Sequence, residues 1–183
     1  LIPNKTLHKN WMISCYNTDG GDGETKDLSS SLLSTFYAIL AFEITEDLSS
    51  LPNYNTTTLS YLKALSSING GYRMTTFDSN SLLSSTYYCV KTISLINKNE
   101  ISGKTTTINW VLGHQNVGDG GFSEVRDINP QTSSVASSYY AFETLRLLNA
   151  VSYLNEEIGE VTFNWFVLLI IFIVIGILVA LGY

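Results

Sequence analysis

Three glycine pairs stand fifty residues apart, in Asp19-Gly20-Gly21, Asn69-Gly70-Gly71 and Asp119-Gly120-Gly121. Each follows an aromatic residue at a matching place, Trp11, Tyr61 or Trp110, inside a short helix-like run. Each precedes a Ser-rich stretch that leads into a longer apolar run. Two helix-like runs per period of about 50 residues predict an all-α array of helical hairpins, each burying its face on the next. The units fall at about 5–50, 54–100 and 104–152.

The residue types give each unit its mechanics. Asp or Asn ahead of two glycines closes a turn in which positive φ carries no steric cost, and the first helix is expected to end there. Serines and threonines ahead of the second helix offer side-chain oxygens to its unpaired N–H groups. In the third unit Val135, Tyr139, Phe142, Leu145 and Leu148 recur at three- and four-residue steps, a helical apolar face.

The run Gln115-Asn-Val-Gly-Asp119-Gly120-Gly121-Phe122 followed by Ser138-Tyr139-Tyr140-Ala141 resembles the α/α toroids of protein prenyltransferase β subunits and of squalene or terpene cyclases. Gly70-Gly71-Tyr72 with Ser85-Thr86-Tyr87-Tyr88, and Gly20-Gly21 with Ser34-Thr35-Phe36-Tyr37, are weaker copies. The resemblance covers about residues 5–152. It implies short outer and long inner helices alternating around a barrel, usually of five or six repeats. Three repeats imply an incomplete toroid, completed by a partner or left open.

Family prenyltransferases hold zinc through an Asp and a Cys at the start of one inner helix and a His from a later one. The resemblance places the Asp and Cys at Leu33 and Thr35, at Ser84 and Thr86, or at Ala136 and Ser138. None of these pairs supplies thiolate, imidazole or carboxylate ligands. The Asp-x-Asp-Asp cluster of the cyclases and the Cys-Gly-Glu-Gln thioester of complement-like toroids are absent too. His8 and His114 fall in first helices, on the outer layer if the family arrangement holds, where surface or capping roles are expected. No catalytic residue, cofactor or metal is therefore expected, and the chain is read as a non-enzyme. Phe36, Tyr37, Tyr87, Tyr88, Tyr139 and Tyr140 are candidates to line a lipid, glycan or partner concavity, with core and inter-repeat packing as the alternative.

Residues 161–183 contain no charged side chain. A helix of that length is about 34 Å long, enough to cross a hydrocarbon core of about 30 Å. Asn164 and Trp165 stand at its upstream end as an interfacial pair. The fold expected is thus an incomplete toroid of three hairpin repeats at 1–153, a linker at 154–160 and one C-terminal transmembrane helix at 161–183. Basic residues do not fix the orientation, because the upstream flank carries Glu156, Glu157 and Glu160. A start at Leu1, as after removal of a signal peptide, and sequons at Asn4 and Asn55 favour a glycosylated, extracytoplasmic body; a tail-anchored protein with a cytosolic body is the alternative.

A net charge of −6 with ten Lys and Arg excludes the basic stripe that nucleic-acid binding needs. Cys15 and Cys89 either pair outside the cell or serve as small buried apolar residues. The loop containing Asp19, Asp22 and Glu24 crowds oxygen ligands that suit Ca²⁺, although its spacing departs from the EF-hand order; a solvated turn is the alternative. The function expected is a membrane-anchored, non-catalytic interaction or accessory subunit, with the lipid bilayer, other membrane-protein subunits or a toroid-completing chain as partners. The luminal part of ribophorin II, a non-catalytic oligosaccharyltransferase subunit, resembles such a design. The rival is an isoprenoid-, lipid- or glycan-binding enzyme or carrier of the prenyltransferase or terpene cyclase type.

Overall fold

The computed structural model describes residues 4–51, 53–126 and 132–155. The chain divides into two compact units, Leu1–Ala150 and Val151–Tyr183. In the second unit the description covers a 3-10 turn at Val151–Asn155. The transmembrane helix expected at 161–183 lies outside the described residues. Among those residues, no helix is long and apolar enough to cross a membrane.

Among the described residues the first unit has six α-helices in three hairpins: α1 (Lys5–Ser14) with α2 (Leu32–Ile44), α3 (Leu59–Ala64) with α4 (Leu83–Asn97), and α5 (Lys104–Leu112) with α6 (Val135–Leu147). A π-type turn at Tyr54–Thr58 leads into α3. The longer helices α2, α4 and α6 pack side by side, α4 touching both of the others. No strand occurs among the described residues.

Every glycine pair lies between the two helices of its hairpin, but the first helix does not run up to it. It stops at Ser14, Ala64 or Leu112, and the chain then makes isolated antiparallel bridges, Tyr16 to Asp22 to Ser31, Ser66 to Tyr72 to Leu82, and Gln115 to Phe122 to Ser134. The turn belongs to this small hairpin. Asn17 N–H donates to Gly21 O, Ser67 N–H to Gly71 O and Asn116 N–H to Gly121 O, at 2.7–2.8 Å. The first glycine of each pair has φ of +94°, +105° or +75°, which a side chain would strain. The acidic or amide residue before it closes the turn, since Asp19, Asn69 and Asp119 accept from the N–H of Gly21, Gly71 and Gly121.

The second glycine answers to a different constraint, the approach of the next repeat. A Cβ on Gly21 would meet Tyr61 Cε1 at 2.8 Å, and one on Gly71 would meet Trp110 Cε2 at 2.6 Å. The aromatic residue of each first helix therefore seats on the glycine pair of the preceding repeat. Tyr61 and Trp110 are buried for this reason, whereas Trp11 is 52% exposed. At the other end, a Cβ on Gly120 would meet nothing described within 4 Å.

The apolar face expected on α6 packs only at its C-terminal end. Leu145 and Leu148 are buried, but Val135, Tyr139 and Phe142 are exposed. The buried side of α6 carries Ser137, Ala141 and Thr144, small residues that allow close approach to α4. Beneath α2, Ile39 and Phe42 form a core cluster with Leu51, onto which Met12 and Ile13 of α1 pack. Cys15 and Cys89 are both buried free thiols.

Candidate functional site

The six aromatic residues at the starts of α2, α4 and α6 form one continuous array across the three repeats. Phe36 touches Tyr37 and Tyr88 with ring centroids 5.2 and 4.9 Å apart, Tyr87 stacks on Tyr140 at 5.3 Å, and Tyr139 meets Tyr87 edge-on at 5.7 Å. The hydroxyls of Tyr88 and Tyr140 are 3.2 Å apart. Phe36 and Tyr87 are buried between helices, while Tyr37 and Tyr139 are more than half exposed. The array thus has packed members and solvent-facing members. Burial first, and then the neighbouring tyrosines, push the Tyr87 and Tyr88 hydroxyls well above their ordinary range. They are neutral donors and acceptors, not bases.

The rim formed by the N-termini of these helices is where the resemblance places zinc ligands. The residues present there do not fit a zinc ion. Thr35 Oγ1 accepts from Asp22 N–H at 2.9 Å and donates to Ser31 O at 2.7 Å. Thr86 Oγ1 accepts from Tyr72 N–H at 3.0 Å and donates to Leu82 O at 2.8 Å. Ser138 Oγ accepts from Phe122 N–H at 3.1 Å. Each hydroxyl secures the bridge residue after its glycine pair. Leu33, Ser84 and Ala136 add no thiolate, imidazole or carboxylate. Cys89 is a turn further along α4, buried, with its thiol pushed up by desolvation and 3.5 Å from Leu62 O. Among the described residues, no three of His, Cys, Asp or Glu converge to hold a metal.

Glu124 is a rim residue that the sequence pattern does not single out. Ser31 and Ser134 cap α2 and α6 with their own side chains, accepting from the N–H of Ser34 and Ser137. Repeat 2 has Leu82 at that place, and Glu124 of repeat 3 supplies the missing acceptor. Its Oε1 accepts from Ser84 N–H at 3.0 Å and from the Ser84 hydroxyl, and its Oε2 accepts from Ser137 Oγ. A carboxylate at a helix N-terminus also suits the dipole. Backbone bonds stitch the same rim, from Leu32 N–H to Met74 O and from Leu83 N–H to Glu124 O.

The other sequence-derived candidates are dispersed. Asn4 is exposed and caps α1, and Asn55 is exposed in the turn before α3. His8 is exposed on α1. His114 is buried instead of lying on the outer surface: its Nδ1 is 2.8 Å from Trp110 O and its ring 4.0 Å from the Trp110 ring, so it closes the end of α5 from inside. Of the acidic loop, Asp19 holds the turn and Glu24 is exposed, whereas Asp22 is buried with neither carboxylate oxygen hydrogen-bonded. Asp22 occupies the place of Tyr72 and Phe122, a departure visible only when the repeats are set in register. Desolvation, reinforced by Asp19, raises its carboxyl from 3.8 to about 7.

Comparison with known proteins places these features in a family. A search of curated proteins finds no match. Among solved structures the chain is similar to Candida albicans protein geranylgeranyltransferase-I complexed with GGPP, at 21% identity and a TM-score of 0.66, over 80% of this chain and 43% of that one. The chain therefore spans less than half the length of that relative. The prenyltransferase alpha-alpha toroid domain matches residues 3–167. This match runs past the third repeat into the uncharged segment, where Thr162-Phe163-Asn164-Trp165 repeats the order of Thr107-Ile108-Asn109-Trp110. With a match over most of its length, the chain belongs to the prenyltransferase alpha-alpha toroid family.

Proposed function

We propose that this chain is a non-catalytic arc of a prenyltransferase-type toroid, acting as an accessory subunit that docks helical-hairpin repeats of a partner chain. The observation that carries this reading is the fate of the inner-helix hydroxyls. Thr35, Thr86 and Ser138 stand where the resemblance puts a catalytic ligand, and each is committed to a backbone N–H. The way one repeat seats on the next supports the docking role. Trp11 is an exposed copy of Tyr61 and Trp110, and the Gly120–Gly121 turn offers the seat that Gly20–Gly21 and Gly70–Gly71 give to the next repeat. A partner hairpin bearing an aromatic residue on its first helix fits that seat. Anchoring of the body outside the cytoplasm by residues 161–183 belongs to the same proposal and rests on sequence alone.

The full chain, purified in mild detergent, is expected to carry no stoichiometric zinc, to turn over no prenyl diphosphate, and to co-elute in a fixed ratio with a second polypeptide whose retention is lost in Gly121→Trp. One equivalent of zinc by elemental analysis together with prenyl transfer would overturn the non-catalytic reading. A second reading, an isoprenoid-binding wall, is favoured by the exposed rings of Tyr37 and Tyr139 at the two ends of the aromatic array. Saturable binding of a prenyl diphosphate that Tyr139→Ala weakens, without turnover, would favour it.

A further inference from the structure

A cavity of about 300 Å³ opens between α1 and α2 and reaches the loop after the first glycine pair. The repeat register gives its origin. Repeats 2 and 3 place a buried ring after their glycines, Tyr72 or Phe122. Repeat 1 places the shorter Asp22 there, and the freed space is walled by Trp11, Met12, Tyr37, Ala38 and Ala41. Asp22 is 1% exposed, and both of its carboxylate oxygens lack any hydrogen-bond partner. The neighbouring hydroxyl, Thr35 Oγ1, is occupied by Asp22's own N–H. A buried carboxylate without a donor is costly and calls for a cation.

The lining specifies what kind. Among the described residues it contains no Lys or Arg, one exposed His8 and a second carboxylate, Glu24. Aromatic and thioether surface suits a short alkyl stem, and the faces of Trp and Tyr attract ammonium groups. We propose that this cavity binds a small primary alkylammonium ligand, the Asp22 carboxylate rotating toward the cavity to take the ammonium while the stem lies against Trp11 and Met12. The cavity shares Trp11 with the docking face and Tyr37 with the aromatic array, but amine binding is read on this chain alone and so does not depend on the accessory-subunit reading.

The titratable groups that line the cavity with Asp22 are His8 on α1, Tyr37 on α2, and Glu24 and the Cys15 thiol around the loop, and Asp19 and Tyr61 of α3 interact with its charge. Burial and then Asp19 raise the Asp22 carboxyl, and among the described residues no cation opposes them, so ligand binding must displace a proton near neutrality. The probe is n-butylammonium, short enough to stay out of detergent micelles, titrated into the full chain by ligand-observed NMR, with n-butanol as the uncharged control. Saturable binding at about pH 8 is expected, at least tenfold tighter than for butanol, falling at least tenfold by about pH 5.5 and at least tenfold in Asp22→Asn. Equal binding of amine and alcohol, no saturation, or affinity unchanged by acid would overturn the proposal. The alcohol and pH arms use the unaltered protein, and so decide the matter even if the variant is poorly folded.

Discussion

Asp22 imposes a pH dependence on stability that an Asp22→Asn substitution isolates. In the folded protein its carboxyl holds a proton up to about pH 7, because burial removes its water and Asp19 lies nearby, against an ordinary value of 3.8. The folded pKa is raised, so between these two values the native state binds more protons than the unfolded state and stability falls as pH rises. Below about 3.8 both states are protonated and there is no penalty; above about 7 both are ionised and the penalty is complete. At about 1.4 kcal/mol per pKa unit, the shift corresponds to about 4 kcal/mol. Side-chain rotation toward the cavity and water entry reduce this, so about 2–4 kcal/mol is the expected range.

Asn has nearly the same shape and stays neutral at every pH. Urea denaturation of both proteins, at pH steps from about 4 to about 8, reads the difference between Asp22, with its coupling to Asp19, and a neutral amide, because titrating groups away from the site contribute equally to the two curves. Asp22→Asn should be similar to the unaltered protein in acid and should gain about 2–4 kcal/mol relative to it by about pH 8. A difference that stays flat across the range, or one that grows toward acid, would show that the carboxylate is solvated or already paired with a donor. That result would also remove the physical basis for a cation in the cavity.

Two substitutions test the inter-repeat packing. Gly20→Ala and Gly120→Ala share the cost of a side chain at positive φ, but the new Cβ at Gly20 lies 2.3 Å from Thr57 O and that at Gly120 meets nothing described within 4 Å. Gly20→Ala should lower stability by about 1–3 kcal/mol more than Gly120→Ala in thermal melts, and equal losses would refute the seat-and-knob account. Thr86→Val keeps the side chain's shape but deprives buried Tyr72 N–H of its acceptor, for a loss of about 1–3 kcal/mol in denaturant unfolding; a neutral outcome would show that the hydroxyl is not committed to the bridge.

The hairpin order was legible because glycine pairs, aromatic residues and Ser/Thr runs recur at a fixed period, and each has a local physical requirement. What periodicity could not supply was the partner of each surface. Val135, Tyr139 and Phe142 share an apolar stripe with Leu145 and Leu148, and helical spacing cannot tell a stripe that meets the next repeat from one that meets water. Ahead of Leu145 and Leu147 the buried side of α6 carries only Ser137, Ala141 and Thr144, and residues so small or polar hide it from a hydrophobicity reading. Glu124 is not legible locally, since its importance lies in Leu82 standing where repeat 2 should have a capping Ser, which leaves Ser84 N–H to a carboxylate 40 residues away. Asp22 was visible as an acid but read with its loop neighbours, Asp19 and Glu24, as a candidate calcium ligand. Only its register with Tyr72 and Phe122 marks it as a carboxylate standing in a ring's place.

The uncharged segment carries the same ambiguity to its end. Absence of charge from 161 to 183 satisfies the requirement for lipid. The order Thr162-Phe163-Asn164-Trp165 also satisfies that of a repeat's first helix, and the family match includes it. An apolar run has no chemistry that separates a buried outer helix from a membrane one. Alkaline carbonate extraction distinguishes the two: a spanning segment keeps the chain in the membrane pellet, and a fourth-repeat segment releases it to the supernatant.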